Sequence, residues 1–419
     1  MEFIADFHIH SKYSRATSPQ MDVENLALWA KRKGISLIGT GDFTHHLWLD
    51  ELKSKLQPLD NGLYLYNDVH FMLTAEVSSI YSKNGKCYRI HNVLFAPSFK
   101  TVEKINKALG AIGNIVSDGR PILGLDAEEL ARIVFDIDEN CFVVPAHIWT
   151  PWFSLFGSMS GFDRIEDCFG KQADKIYALE TGLSSDPVMN WRVSALDKYS
   201  LISNSDSHSP QKLGREANVF DCELSYFQII DTLKKKDKKR FLYTIEFFPE
   251  EGKYHYDGHR ACGVRFSPGQ TKDHKGICPE CGKRLTVGVT NRVDVLADRE
   301  EGFVPKNSIP FKNFIPLIEI IAEARGVGVN SKAVAKEYMD TVGHFGTEFE
   351  VLMRAPEDDL RKALTQRTAE GIIKVRQGQV HIAPGFDGEY GMIKIFDEDK
   401  KTIKKEQKKK EKEQQLSLF

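Results

Sequence analysis

Phe3-Ile4-Ala5-Asp6-Phe7-His8-Ile9-His10 is an apolar run of strand length that ends in two imidazoles two residues apart. Side chains alternate across a strand, so His8 and His10 share one face and can reach one metal ion or two neighbouring ions. The pattern recurs down the chain. Ile35-Ser36-Leu37-Ile38-Gly39 leads to Asp42 and His45, and Phe71-Met72-Leu73-Thr74-Ala75 leads to Glu76. His91 lies within the run Ile90 to Phe95, and Cys141 to Ala146 ends at His147. Ile176-Tyr177-Ala178-Leu179 ends at Glu180, and Leu201-Ile202-Ser203 precedes Asp206 and His208. Between these runs lie helical patterns, such as Val23, Leu26, Ala27 and Ala30 at spacing i, i+3, i+4, i+7, closed by Gly34.

Alternating strands and helices with polar groups at the strand ends are how a (β/α) barrel builds a site, because several strands converge on one mouth. An α/β barrel over residues 1–245 is therefore expected. An isolated HxH occurs in many proteins; it is the set His8, His10, Asp42, His45, Glu76, His91, His147, Asp206 and His208 that carries weight. Nine donors exceed what one ion takes. A mixture of His with bridging carboxylates suits two or three divalent cations such as zinc, manganese, magnesium or iron, and clustered ions of that kind serve phosphoester hydrolysis. Asp206, Glu76 and His8 are the expected catalytic centre.

Beyond the barrel, Lys234 to Lys239 and Pro249-Glu250-Glu251-Gly252 read as linker, and residues 246–302 are rich in Gly and Cys. Cys278-Pro279-Glu280-Cys281 with His259 and Cys262 has the spacing of a structural zinc site, with His255 as an alternative fourth ligand. Arg260, Arg265, Lys283, Arg284, Arg292 and Arg299 around it are candidates for phosphate contact. Apolar helical spacing returns in 303–396, for example Leu317, Ile320, Ile321 and Ala324, so a mainly helical region is expected there. Residues 397–419 are expected to form a flexible, Lys-rich charged tail.

The chain has 419 residues, with 57 Lys+Arg against 59 Asp+Glu. The run from Lys400 to Glu413 is strongly basic, so the rest is acidic and no uniformly basic nucleic-acid-binding body is present. The N-terminus lacks a basic segment followed by an apolar one, and no stretch of about 18 apolar residues occurs. A cytoplasmic, nucleoid-associated protein with no membrane partner is expected, and seven scattered Cys fit a reduced compartment.

His8-Ile9-His10-Ser11, Gly41-Asp42, Glu76, His91, His147 and Asp206-Ser207-His208 resemble the motifs of the PHP (polymerase and histidinol phosphatase) metallophosphoesterases over about the first 210 residues. That resemblance implies a distorted seven-stranded, TIM-like β/α barrel with a trinuclear metal site. Ser14-Arg15-Ala16 stands where the family often has a further His, so the resemblance leaves His45 as a substitute ligand and Arg15 as a phosphate-holding catalytic residue. The added Lys253 to Arg260 stretch, the Cys-Pro-Glu-Cys segment, Gly288-Val289 to Asp298-Arg299 and Gly385-Phe386-Asp387-Gly388 narrow the resemblance to the endonuclease Q family. It implies metal-dependent nicking of DNA 5' to uracil, hypoxanthine, xanthine or an abasic site. A deaminated base in duplex must be flipped to be read, and Trp149, Trp152 and Phe153 are candidate pocket walls. Gln415-Leu416-Ser417-Leu418-Phe419 resembles peptides that dock on a DNA sliding clamp, with Gln415, Leu416, Leu418 and Phe419 as its contacts. A small-molecule phosphomonoesterase of the histidinol phosphatase type and a clamp-tethered DNA-binding protein are the competing readings.

Overall fold

A computed structural model describes residues 2–396, so the Lys-rich run and the Gln415–Phe419 peptide lie outside the described residues. Seven strands form the wall of a distorted barrel: β1 (Glu2–Asp6), β2 (Leu37–Gly39), β3 (Val69–Lys83), β4 (Lys86–Ala96), β5 (Phe142–Pro145), β6 (Ala178–Glu180) and β7 (Ser200–Ile202). β1, β2 and β3 run parallel, β4 is antiparallel to both β3 and β5, and β6 and β7 pair parallel. Two links close the wall. Ile148 N donates to Glu180 O at 3.0 Å, and Ile9 bridges Ser207 just beyond β1 and β7.

Ala5, Leu37, Met72, Phe95, Val144 and Ile202, each from a different strand, share one buried cluster. Burying each large apolar side chain contributes about 1.5–3 kcal/mol, which fixes which face of each strand points inward. The first helix spans Val23–Lys33; Asp22 caps its start through Asn25 N, and Gly34 ends it at φ 88°. Its buried face is Val23, Leu26, Ala27 and Ala30, the spacing read from sequence.

The main sheet does not stop at the barrel. Strands Ala217–Asp221 and Phe241–Glu246 extend it antiparallel from β1, the second crossing the expected boundary at 245. Phe311–Asn313, from the C-terminal region, then pairs parallel with Phe241–Glu246. The expected helical region is thus mixed: helices Leu317–Arg325, Lys332–Phe345, Glu357–Ala363 and Gln366–Arg376 are joined by a hairpin of His381–Ala383 and Met392–Lys394. A buried ion pair, Lys33 Nζ to Glu348 Oε2 at 2.8 Å, ties these helices to the first helix of the barrel. Glu348 also accepts from Tyr338 OH at 2.7 Å and Leu317 N at 3.0 Å, so its charge is fully satisfied.

The segment after the barrel is a small ribbon, Asp257–His259 against Val264–Phe266, followed by helix Pro268–Asp273 with a Ser267/Gln270 capping box. Its own apolar core is only Val264, Cys278 and Leu285. A core of that size cannot hold such a module by burial alone.

Candidate metal centre and adjoining cavity

The strand ends bring seven of the nine expected donors to one mouth. His8, His10 and Glu76 form one group, His10, Asp206 and His208 a second, and Glu76, His91 and His147 a third, with the donor atoms of each group within 4.8 Å of one another. Glu76 is the hub. Its Oε1 lies 2.6 Å from His91 Nδ1 and 3.1 Å from His147 Nε2, while its Oε2 lies 3.3 Å from His10 Nε2 and 3.5 Å from His8 Nε2. Asp206 Oδ1 is 3.1 Å from His10 Nε2.

Each key imidazole is held from behind. His8 Nδ1 faces both Glu180 oxygens at 3.0 Å, and His10 Nδ1 faces Asp42 Oδ1 at 3.0 Å. That leaves both Nε2 atoms aimed at the centre, where His8 Nε2, His10 Nε2 and Asp206 Oδ1 are buried and close to one another without a properly aligned hydrogen bond. Buried polar atoms without partners are rare, and three converging on one point fit divalent cations. Three residues at this mouth, Asp42 (φ 47°), His147 (φ 29°) and Asp206 (φ 46°), adopt left-handed backbone. Such conformations cost about 1–3 kcal/mol each and persist where surrounding structure enforces them.

Opposite charges in the site hold one another ionised against burial. Although burial pushes Glu76 upward, His91, Arg120 and His8 hold its carboxyl well below the usual range. Burial likewise opposes ionisation of Asp206, yet His10 and His8 keep it far below the ordinary value. Burial disfavours charge on His8 and His10, but Glu180 with Glu76 and Asp42 with Asp206 outweigh it and raise both. His91 goes the other way: burial takes it down to about 4, against the pull of Glu76.

Three of the expected site residues sit elsewhere. Asp42 does not point at the centre: its Oδ1 faces His10 and its Oδ2 accepts from Ser11 N, Ser11 Oγ and Ser14 Oγ at 2.6–2.8 Å, so it orients His10. Gly119 packs on it so closely that a Cβ there would lie 2.3 Å from Asp42 Oδ2. His45 stacks on Tyr13 with ring centres 4.5 Å apart and precedes helix His46–Lys55, outside all three donor groups. Arg15 has an 87% exposed side chain whose nearest carboxylate is Asp118, at 3.9 Å. Its expected place beside the cluster is taken by Arg120, whose Nη1 lies 3.0 Å from Glu76 Oε2. Arg120 and Glu180 were not singled out as site residues from sequence. Glu180 had a signal, its place at a strand end; Arg120 had none.

Behind this mouth lies a second buried carboxyl pair. Burial pushes Glu246 up to about 8 against hydrogen bonds from Thr244, Ser203 and Thr181, with Asp186 adding to the rise, and Glu216 is raised by burial and by Glu246. A raised folded-state value means stability that is complete below the unfolded value and lost as pH climbs towards about 8. The melting temperature of Glu246→Gln is therefore expected to fall less than that of the parent between pH 5 and 8. Parallel melting curves for the two proteins would contradict this.

A cavity of about 750 Å³ opens beside the cluster, walled in part by Thr150, one turn beyond His147, and Ser209, next to His208, and by Trp152, Arg215, Tyr254 and His255. Thr150 Oγ1 reaches His147 Nδ1 at 3.3 Å. Of the three aromatic candidates only Trp152 faces this space. Trp149 is core, donating to Asn190 Oδ1 at 2.8 Å, and Phe153 packs on the His91 ring.

In the small module, His259, Cys262, Cys278 and Cys281 offer donors within 4.8 Å of one another. Neighbouring thiols Cys281 and Cys278 raise Cys262, whereas backbone donation at Lys283 lowers Cys281. His255 is not part of this group; it is buried at the cavity wall. Two of the six basic residues brace the barrel: Arg292 bonds Phe156 O, Phe162 O and Asp163, and Arg299 pairs with Asp197. Arg265 donates to Pro384 O at 3.0 Å.

Comparison with known proteins gives the same outline. The sequence family described as the MJ0043 C-terminal domain matches residues 316–379. The protein MJ0043 of Methanocaldococcus jannaschii is 34% identical over 287 residues, 65% of this chain, and the match spans 35% of that protein's length. YqxK of Bacillus subtilis is 31% identical over 417 residues, covering 93% of this chain and 98% of YqxK. The crystal structure of the lesion-specific endonuclease PfuEndoQ from Pyrococcus furiosus superposes with TM-score 0.85 at 32% identity, covering 97% of this chain and 99% of that one. An endonuclease Q solved with a 27-mer duplex carrying an abasic lesion at its active site superposes with TM-score 0.83 at 33% identity, covering 95% and 97%. Matched nearly end to end by solved relatives and carrying a metal-binding mouth of its own, this chain belongs to the endonuclease Q family and is a hydrolase of the endonuclease class.

Proposed function

We propose that the protein is a metal-dependent DNA repair endonuclease that nicks the phosphodiester 5' to uracil, hypoxanthine, xanthine and abasic sites, with the lesion nucleotide turned out of the duplex into the cavity beside the cluster. The observation that carries this reading is the adjacency of the donor cluster to a roomy cavity, joined through Thr150 and His147. The relatives described as a lesion-specific endonuclease and as a complex with abasic duplex support it.

Divalent ions held by His8, His10, Glu76, His91, His147, Asp206 and His208 would lower the pKa of water and neutralise charge on the scissile phosphate. The chain's own residues do the rest. Glu180 and Asp42 fix the tautomers of His8 and His10 so that Nε2 faces inward. Arg120, paired with Glu76, brings a permanent cation to the place where phosphate charge develops. The cavity reads the extruded nucleotide with Trp152 and Tyr254 as apolar surface.

The domain reading is a catalytic barrel over 1–245, a zinc-stapled module over 246–302 held by His259, Cys262, Cys278 and Cys281, a bracing region over 303–396 and a tail over 397–419. The peptide Gln415–Phe419 is proposed to dock on a sliding clamp, which would raise the enzyme's local concentration on cytoplasmic, nucleoid DNA. Among the described residues, no helix is long and apolar enough to cross a membrane.

The test uses end-labelled duplexes with one deoxyuridine, one deoxyinosine, one abasic site or no lesion, incubated with magnesium or manganese. A nick 5' to the lesion, absent from undamaged duplex and after chelation, is expected. Hydrolysis of a small phosphate monoester with no nicking would shift the assignment to the phosphatase reading.

A further inference from the structure

The most exposed large hydrophobic side chain among the described residues is Tyr390, at 76%. It lines the cavity beside the donor cluster. An exposed aromatic on a mobile loop would need no comment, but this loop is fixed at both ends. Gly385 N donates to Glu250 O at 2.8 Å, Gly388 N to Lys253 O at 2.9 Å and Gly391 N to Glu251 O at 3.0 Å. Asp387 accepts from Arg260 N and from Thr286 Oγ1, both at 2.6 Å, which pins the turn to the small module. Gly391 is demanded by this packing, since a Cβ there would lie 2.0 Å from Glu250 O.

The loop therefore holds a flat ring rigidly in water with little of its own chain to pack on. Among the described residues, the cation at its ring is Lys253, whose Nζ is 5.9 Å from the Tyr390 centroid and 5.5 Å from that of Tyr254. Trp152 meets Tyr254 edge-on at 5.9 Å. The rim of the cavity thus sets two aromatic rings, Tyr254 and Tyr390, about an exposed ammonium, with Trp152 against Tyr254, the composition of a surface that takes bases by stacking and a backbone phosphate by charge. Trp152 and Tyr254 pack on one another at the wall, whereas Tyr390 projects furthest into solvent of the three.

We propose that Tyr390 is a positioning residue that enters the duplex where the lesion nucleotide leaves it, stacking on the flanking base pairs, while Lys253 holds the adjacent phosphate. The inference rests on the nucleotide-extrusion reading above and adds the group that stabilises the extruded state. Turning a nucleotide out of a helix leaves a gap between its neighbours, and a ring that fills this gap lowers the energy of the open form without touching the reacting phosphate. A single-stranded substrate has no such gap, so the effect is specific to duplex.

The full chain, with manganese, is assayed on one deoxyuridine strand in two forms, paired and unpaired. Tyr390→Ala is expected to lower kcat/KM on the duplex about 10- to 100-fold and to stay within about threefold of the parent on the single strand. Tyr390→Trp and Tyr390→Phe should restore duplex cleavage. A 2-aminopurine beside the lesion brightens on binding the parent and should stay dim with Tyr390→Ala. Retained cleavage of the single strand shows that the variant is folded. Equal loss on both substrates, or no loss on either, overturns the proposal. If the parent cleaves neither form, the endonuclease reading itself fails and takes this inference with it.

Discussion

Replacing Glu76 by Gln should lower lesion cleavage by roughly a thousandfold or more, with metal content falling in parallel. The side chain keeps its size, so the packing of β3 is undisturbed and the effect isolates the charge. Four imidazoles and one guanidinium lie within 3.5 Å of its two oxygens. An amide nitrogen in place of one oxygen turns a donor towards ring nitrogens that must themselves bind cations, and it removes the carboxylate shared by the His8/His10 and His91/His147 groups. Metal analysis by mass spectrometry, next to kcat and KM on a deoxyuridine duplex, checks this. Unchanged metal content with unchanged kcat would show that the histidines assemble without Glu76.

The second large effect falls on stability. Cys278→Ser should remove one metal ion per chain and unfold the module between Asp257 and Leu285, while the barrel stays intact. Cys278 is fully buried against Val264 and Leu285, and this three-residue cluster is the module's own apolar core. Structural zinc contributes about 10 kcal/mol or more in comparable small modules, far beyond what such a core supplies. Limited proteolysis should then cut within 257–285 in the variant and not in the parent. Lesion cleavage should fall as well, because the segment Lys253–His255 that walls the cavity is tied to the module through Thr290 and Val289. An unchanged metal count would mean that these four side chains do not bind an ion.

Much of the site could be read from the strand-end pattern, because a β/α barrel turns a linear repeat into a ring. His8, His10, Glu76, His91, His147, Asp206 and His208 each follow or sit in an apolar run, and all seven meet. Where the reading departs from the structure, the cause is local geometry that spacing does not encode. His45 lies only three residues beyond Asp42, but the left-handed backbone at Asp42 and the helix that starts at His46 send its ring towards Tyr13. Asp42 itself looks like a ligand in sequence because orienting carboxylates and ligating ones occupy the same strand-end positions. Arg120 was missed because it follows Gly119 in a loop with no apolar run, and only the fold brings it to Glu76. In the C-terminal region helix periodicity was plain, yet the three residues Phe311–Asn313 are too short for a strand signal and were assigned no role in the sheet.

That short strand governs how the molecule can be divided. Cutting the chain after residue 302 to obtain a catalytic fragment would strip Phe311–Asn313 from Phe241–Glu246 and bare the backbone of Thr244, Ile245 and Glu246. An open edge of that kind, apolar at Ile245, is a template for pairing between molecules. Such a fragment would gather into aggregates before its metal chemistry could be assayed, so dissection of this enzyme has to proceed by point substitution in the whole chain.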